Sequence, residues 1–177
     1  LATFAFTCFE TTLGLLVSRN FRLDAEKADD AKVIGYLFAY CGVIGAFVQG
    51  GAIGRAVKKL GEPRLIAASL FLTGASLAPL PFATTWPALL VALAALAIGS
   101  SLARPPIFGM ISILTPPEEQ GGTIGVAQSF GSLARILGPV FAGTTFALEP
   151  KIPYLVCAGV SLVAMALAWA VLHRAKA

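Results

Sequence analysis

The chain has 177 residues, of which 57% are hydrophobic and 12% are charged; its mean hydropathy is +0.83 and its formal net charge is +4. Soluble globular domains carry about 25% charged residues, and this chain lacks the polar residues that would cover a soluble fold. The composition therefore excludes an ordinary soluble domain and predicts an all-α integral membrane protein.

The positions of the charged residues divide the chain into six apolar segments. All but three of the Asp, Glu, Lys and Arg residues lie in five intervals, which are 19–32, 55–64, 118–119, 149–151 and 174–176. With the uncharged break at 82–87, these predict transmembrane helices over roughly 1–18, 33–54, 65–82, 87–114, 121–147 and 153–172. Each is near or above the roughly 20 residues that cross about 30 Å of hydrocarbon. We expect residues 1–177 to form a single six-helix transmembrane bundle.

The first predicted span contains a glutamate among polar neighbours. Thr3, Thr7, Thr11 and Gly14 follow one another at spacings of three or four and share a helix face with Glu10. A charge at bilayer depth costs about 2.5–3.5 kcal/mol, so Glu10 should face the bundle interior, a cavity or a partner. The alternative is an inert ion pair between Glu10 and an arginine that locks the bundle.

The second predicted span combines aromatic, amide and glycine residues. Tyr36 and Tyr40 lie one turn apart near its outer end, where tyrosines also serve as interfacial residues. Gln49 is a candidate binding residue, although amides within membranes also bond to neighbouring helices. The glycines are expected to permit close helix packing; they are Gly42, Gly45, Gly50, Gly51 and Gly54.

A basic segment separates the second and third spans. Residues 55–64 include Arg55, Lys58, Lys59 and Arg64, and Gly61 is expected to end the second span. Such cations contact anionic headgroups and determine orientation. The opposite face also carries acids that can pair with its cations. We therefore place this predicted loop, and both ends of the chain, on the cytoplasmic side.

The fourth and fifth spans each contain one arginine. Arg104 precedes Pro105 and Pro106, which remove two backbone donors and are expected to break the helix. The alternative for Arg104 is a side chain that reaches the cytoplasmic interface. Arg135 lies near the middle of its span, on a face with the polar and small residues Gln128, Gly131, Ser132, Gly138 and Pro139. A structural ion pair is the alternative for Arg135.

Soluble-enzyme motifs are missing from the sequence. It contains no Gly-x-x-x-x-Gly-Lys-Ser/Thr loop, His-Glu-x-x-His pair or Cys-x-x-Cys motif. A single histidine and the absence of clustered intramembrane carboxylates argue against a metal site or a hydrolase. We therefore predict neither an enzyme nor a cofactor, and a lipid bilayer rather than nucleic acid as partner.

Three motifs resemble the second half of a major facilitator superfamily transporter, in particular the drug:proton antiporter branch that includes tetracycline-type exporters. Gly51-Ala52-Ile53-Gly54-Arg55 followed by Gly61-Glu62-Pro63-Arg64 is similar to a degenerate copy of the family's loop between its eighth and ninth helices. Pro116-Pro117-Glu118-Glu119-Gln120-Gly121 resembles the loop after the tenth helix. Gly131, Gly138-Pro139 and Gly143 resemble the pattern of the eleventh helix. The match covers essentially all six spans in order.

The resemblance implies six helices built as two inverted three-helix repeats, with a substrate site near the midplane against a second six-helix half. It implies proton-coupled export of a small organic solute across a bacterial inner membrane. Glu10 and Arg135 are then the first candidates for substrate or proton-coupling contacts, because a carboxyl group in a low-dielectric cavity can exchange a proton at usable pH. The competing hypothesis is a non-transporting six-helix scaffold subunit of a larger complex.

Overall fold

The structure is a computed structural model that describes residues 1–23 and 27–174, and within these residues every regular element is helical. The helices are α1 (Ala2–Phe21), α2 (Ala28–Phe47), α3 (Ile53–Leu60), α4 (Glu62–Leu77), α5 (Trp86–Leu114), α6 (Gln120–Leu148) and α7 (Ile152–Arg174). A π-helical turn over Val48–Ala52 joins α2 to α3, and a short 3-10 turn spans Leu80–Phe82. The all-α prediction is confirmed. Parts of the predicted charged segments 19–32 and 174–176 lie outside the described residues.

Five helical segments in the described residues are long and apolar enough to cross a membrane. They are Asp29–Leu60, Glu62–Phe82, Trp86–Leu114, Gln120–Leu148 and Ile152–Val171. Helix α1 is 20 residues long but is not among them. Glu10 and the four threonines of α1 make it less apolar than the other spans, although it packs within the same bundle.

Helix contacts show an internal repeat. Helix α4 packs against α5 and α7, α1 packs against α6 and α7, and α2 packs against α5. In the repeat, α1 is equivalent to α5, α2 to α6, and α4 to α7. The contact between α1 and α6 then corresponds to the contact between α5 and α2. In the same way, the contact between α4 and α5 corresponds to the one between α7 and α1. Because each repeat has an odd number of spans, the second begins at the opposite end of the bundle from the first. This is the arrangement of two inverted three-helix repeats.

Close helix crossings depend on a few glycines. A Cβ atom on Gly99 of α5 would lie 2.9 Å from the backbone nitrogen of Thr73 in α4, and one on Gly45 of α2 would lie 2.9 Å from the Ser101 hydroxyl. Gly138 of α6 packs against α1, where Thr7 Cβ would be 3.1 Å away. These glycines let the backbones approach.

Several other glycines have no close neighbour within the described chain. A methyl group added at any of these positions would meet no neighbouring atom within 4 Å; they are Gly42, Gly50, Gly51, Gly54, Gly131 and Gly143. Of the glycine-rich second span, only Gly45 approaches another described helix closely. Close helix packing at the other glycines of this span stays a prediction, since the second six-helix half that the resemblance implies is not part of this chain.

The predicted loop over residues 55–64 is also wrong. Helix α3 continues the second span to Leu60, and α4 begins at Glu62, so Gly61 is the only non-helical residue between them. Gly61 has φ +76°, a conformation that side-chain-bearing residues rarely adopt. The motif residues Arg55, Lys58 and Lys59 therefore lie on exposed helical turns rather than on a loop.

The prolines of the fourth span do not break it, contrary to expectation. Pro105 and Pro106 lie inside the continuous helix α5, and Pro139 lies inside α6. Each proline still lacks the amide proton that would bond to the carbonyl four residues earlier. Pro105 and Pro139 therefore cannot donate a helical hydrogen bond to the carbonyl groups of Ser101 and Arg135, although both helices continue through these positions.

Candidate functional site

The three charged residues inside the spans come from three different helices. Glu10 lies in the middle third of α1, Arg104 in that of α5 and Arg135 in that of α6. All three side chains are exposed in this chain. Helices α1, α5 and α6 thus bring their only intramembrane charges to similar positions along their lengths.

The two arginines lie in the wall of one cavity, which we call the arginine cavity. It has a volume of about 460 Å³ and is bounded by α1, the π-helical turn, α4, α5 and α6. Its polar lining consists of Thr3, Gln49, Thr73, Ser100, Ser101, Arg104, Gln128, Ser132 and Arg135. The wall therefore combines two guanidinium groups and several hydrogen-bonding groups with apolar side chains such as Phe6 and Phe108.

Glu10 lies in the wall of a second cavity, which we call the glutamate cavity. It has a volume of about 420 Å³ and is bounded by α1, α2, the π-helical turn and α5. Three phenyl rings line it beside Glu10, those of Phe6, Phe9 and Phe38, and Cys41 contributes a thiol. Its chemistry is aromatic with one acid.

The two cavities adjoin. Phe6, Gln49, Ser100 and Ser101 belong to the walls of both. Ser101 is buried, and its backbone carbonyl is the one left without a helical donor by Pro105. Gln49 belongs to the π-helical turn, a feature that often marks functional sites in helices. Each cavity has a volume within the roughly 300–1,000 Å³ that is typical of binding sites for small molecules.

The charges in these cavities are not neutralised by tight pairing. In the described part of the chain, Glu10, Arg104 and Arg135 form no ion pair, whereas Lys32 and Asp29 do so at 2.8 Å. Arg104 and Arg135 are nevertheless near enough for their charges to act on Glu10. The locked ion pair, which is the alternative interpretation of Glu10, is not formed among the described residues.

The amides and tyrosines of the predicted site have different positions. Gln49 and Gln128 line the arginine cavity together with Arg104 and Arg135. Tyr36 is 69% exposed and lines neither cavity. Tyr40 also lies outside both, with its hydroxyl 3.5 Å from the Leu90 carbonyl. The structure therefore brings the amides to the charged residues and leaves the tyrosines apart.

The threonine stripe on α1 is mostly satisfied locally. Thr11 donates to the Thr7 carbonyl at 2.8 Å, and Thr7 donates to the carbonyl of Thr3. Thr12, which lies outside the predicted stripe, donates to the Cys8 carbonyl at 2.8 Å and lies 3.1 Å from the Tyr154 hydroxyl. Of these hydroxyl residues only Thr3 reaches a cavity wall.

Sequence reasoning missed several lining residues. Phe6 and Phe9 flank Glu10 on α1, and Ser100 and Ser101 precede Arg104 on α5 by three or four residues. A pair of serines one helical turn from an intramembrane arginine is a usable signal. Phe38 and Cys41 gave none, because apolar residues in a transmembrane helix are expected on every face.

Membrane transport domains typically consist of paired helical repeats. These repeats surround cavities whose walls contain intramembrane charged residues. The comparison with protein families agrees. The chain belongs to the Major Facilitator Superfamily, whose family model matches residues 1–177.

Several curated proteins are similar to this chain. Major facilitator superfamily domain-containing protein 10 of Mus musculus is 25% identical over 174 residues, which cover 98% of this chain and 37% of that protein. Quinolone resistance protein NorA of Staphylococcus aureus is 28% identical over 176 residues, covering 98% and 43%. Tetracycline resistance protein, class E, of Escherichia coli is 35% identical over 118 residues, covering 64% and 28%. The chain thus spans well under half the length of these relatives.

Proposed function

We propose that the chain forms the carboxy-terminal half of a secondary active transporter that exports a small organic solute in exchange for protons. Relatives named for quinolone and tetracycline resistance support export of organic molecules. Alternating access would arise from rocking of this half against a second six-helix half.

One observation carries the proposal: two adjoining cavities contain Glu10, Arg104 and Arg135, each of which lies in the middle third of its helix and is not paired with the others in the described residues. Intramembrane charges are costly and mark substrate or proton pathways when they face a cavity. A non-transporting scaffold subunit has no need of charged cavity walls, which favours transport over that alternative.

Glu10 is the proposed proton carrier. Its carboxylate can accept a proton without first breaking an ion pair. Arg104 and Arg135 act on it electrostatically, so a rearrangement that moves either arginine would change how readily Glu10 binds a proton. We assign Arg104, Arg135, Gln49 and Gln128 to substrate contacts.

The proposed second half would cover α2 and α6. Only 6% of the most apolar stretch of α6 is buried in this chain, and only 11% of that of the span formed by α2 and α3. Large apolar side chains such as Phe130, Ile136 and Val140 are exposed on α6. In the inverted-repeat arrangement α2 and α6 are equivalent helices, which suits a shared interface.

The proposed orientation follows from charge. We propose a bacterial inner membrane with the α3 end on the cytoplasmic side, because Arg55, Lys58 and Lys59 are exposed there. Labelling of a cysteine introduced at Lys58 by a membrane-impermeant maleimide checks this. Labelling in inverted vesicles but not in intact cells is expected, and the reverse would contradict the orientation.

Transport by the full-length protein tests the function. The protein is reconstituted in vesicles with a pH-sensitive dye inside, and tetracycline- or quinolone-dependent proton flux is measured. We expect Glu10→Gln to lower coupled flux at least about tenfold, since a neutral amide cannot carry the proton. We expect Arg135→Ala to weaken solute uptake while leaving proton binding at Glu10 possible.

Matched controls remove the same charges outside the cavities. Glu149→Gln and Arg19→Ala alter exposed residues at or near helix ends and should leave flux unchanged. Normal coupling and uptake in both cavity variants would refute the site assignment. Absence of any solute-dependent proton flux in the unmodified protein, across both drug classes, would refute proton-coupled export of these compounds.

A further inference from the structure

The two cavities carry charged groups of opposite sign and share part of their walls. The arginine cavity presents two guanidinium groups, and the glutamate cavity presents one carboxyl group with three phenyl rings. Phe6 and Phe9, which flank Glu10, have ring centroids 6.0 Å apart. The protein therefore separates its positive and negative binding groups across the shared residues Gln49, Ser100 and Ser101.

We propose that the substrates are dipolar aromatic molecules, which bind an anionic group in the arginine cavity and an amine on an aromatic body in the glutamate cavity. This rests on the proposed function and names the substrate class of that site. Guanidinium groups bind carboxylates and similar anions through directional hydrogen bonds. An ammonium group is favoured by a carboxylate and by phenyl faces.

The charges favour a ligand that carries both signs. Arg104 and Arg135 act across the site on Glu10, so they also repel a cation bound beside it. An anion in the arginine cavity is in turn repelled by Glu10. A molecule that carries both charges in the matching order meets the same repulsions but gains an attractive contact at each end, so it should bind more tightly than either singly charged molecule.

This arrangement also couples release to protonation. When Glu10 binds a proton, its carboxyl group becomes neutral and no longer attracts the ammonium group of the ligand. The arginines keep their charge throughout, because guanidinium does not lose its proton in proteins. The amine end of the ligand is thus released by the proton, while the anionic end stays bound until the cavity changes its access.

Cys41 provides a native reporter of ligand binding. It is half-buried and lines the glutamate cavity, whereas Cys8 and Cys157 are each 1% exposed. A ligand in the glutamate cavity should therefore protect Cys41 from N-ethylmaleimide. The buried Cys8 and Cys157 report whether a variant keeps its fold.

The experiment uses the full-length protein and four compounds with one naphthalene ring. Naphthylalanine carries both charges, naphthylpropionate only the anion, naphthylethylamine only the cation, and naphthylethanol neither. The concentration for half protection of Cys41 is read by mass spectrometry of its peptide. We expect naphthylalanine to protect at a concentration about tenfold lower than either singly charged compound, given the strength of hydrogen bonds to charged groups.

Variants assign each end of the ligand. Glu10→Gln should abolish the advantage of naphthylalanine over naphthylpropionate, and the double variant Arg104→Gln/Arg135→Gln should abolish its advantage over naphthylethylamine. Arg55→Gln, which removes an exposed cation outside both cavities, should change neither. Labelling of Cys8 and Cys157 must stay low in each variant.

The proposal is overturned by equal protection from naphthylethanol, by strongest protection from a singly charged compound, or by no protection at all. It is also overturned when neither cavity variant changes the ranking. Proton flux in vesicles is measured separately. Dipolar selectivity without proton-driven transport would contradict the proposed function and leave the binding site supported, so the two failures are distinguishable.

Discussion

The spans formed by α4 and α6 are both apolar enough to cross a membrane but have different surroundings. In the most apolar stretch of Glu62–Phe82, which begins with α4, 61% of residues are buried, against 6% in that of α6. Helix α4 packs against both α5 and α7, while α6 is covered mainly by α1, around Gly138 and Ala142. Hydropathy makes a helix suitable for a membrane, but it does not say whether lipid, protein or a cavity will cover each face.

The contrast separates stability from function. Helix α4 contributes leucines to the packed interior and only Thr73 to a cavity wall. Helix α6 contributes Gln128, Ser132 and Arg135 to the arginine cavity, whose other walls come from α1, the π-helical turn, α4 and α5. The well-packed helix supports the bundle, and the exposed helix carries several of the proposed binding groups.

The largest expected effect of this contrast is on leucine truncation. Leu70 of α4 is 4% exposed, whereas Leu133 of α6 is 50% exposed. Leu70→Ala should lower the free energy of unfolding by about 2–5 kcal/mol through lost packing and a cavity. Leu133→Ala should change the free energy of unfolding by no more than about 0.5 kcal/mol. Denaturant unfolding in detergent measures both.

If Leu133→Ala lowered the free energy of unfolding as much as Leu70→Ala, the contrast between α4 and α6 would not hold in the purified protein. That result would mean that another surface, such as the proposed second half, covers α6 in the purified protein. Repeating the measurement on the 177-residue chain alone would then restore the difference between the two leucines.

A smaller effect is expected at the glycines. A methyl group on Gly99 would lie 2.9 Å from Thr73 N and 3.1 Å from Ser69 O, and backbone atoms cannot yield cheaply. Gly99→Ala should therefore cost about 1–3 kcal/mol of unfolding free energy. The matched control Gly131→Ala on α6 meets no described atom within 4 Å and should be neutral or slightly stabilising. Equal melting temperatures would contradict the close α4–α5 crossing.

The smallest effect compares two glycines within α6. Gly138 faces α1, with Thr7 Cβ 3.1 Å from the added methyl position, while Gly143 is open. Alanine gains up to about 1 kcal/mol over glycine in a helix. Gly143→Ala should therefore raise the free energy of unfolding by up to this amount. Gly138→Ala should raise it much less, because its methyl group would be crowded by α1. Denaturant unfolding in detergent measures both. A greater stabilisation by Gly138→Ala would show that α1 does not approach α6 as closely as described.

Much of the fold could be predicted from the sequence. The intervals of charge separated the spans, and most predicted boundaries lie within a few residues of the helix ends. The basic segment failed as a loop because α3 continues to Leu60; helical geometry can present Arg55, Lys58 and Lys59 to solvent as well as a loop can. Only Gly61, with its positive φ, carried the actual break.

The candidate site was predictable in part. Glu10, Arg104 and Arg135 stood out because the cost of intramembrane charge makes each one conspicuous. Tyr36 and Tyr40 line neither of the two cavities, and their assignment to the site stays a prediction. The π-helical turn that holds Gln49 could not be foreseen, because the bond of the Ile53 amide to the Val48 carbonyl depends on how the span packs.

The sequence by itself determined the membrane environment, the number and approximate limits of the spans, and which side chains carry intramembrane charge. Those properties follow from the free energies of transferring residues from water into the membrane. These free energies add up along the chain and do not depend on which helices pack together. Only the tertiary structure decided that the arginines share one cavity, that Glu10 lies in the next with three phenyl rings, and that Gly45, Gly99 and Gly138 lie at close helix crossings. Such pairings depend on which faces of distant helices meet, and helical periodicity leaves that choice open.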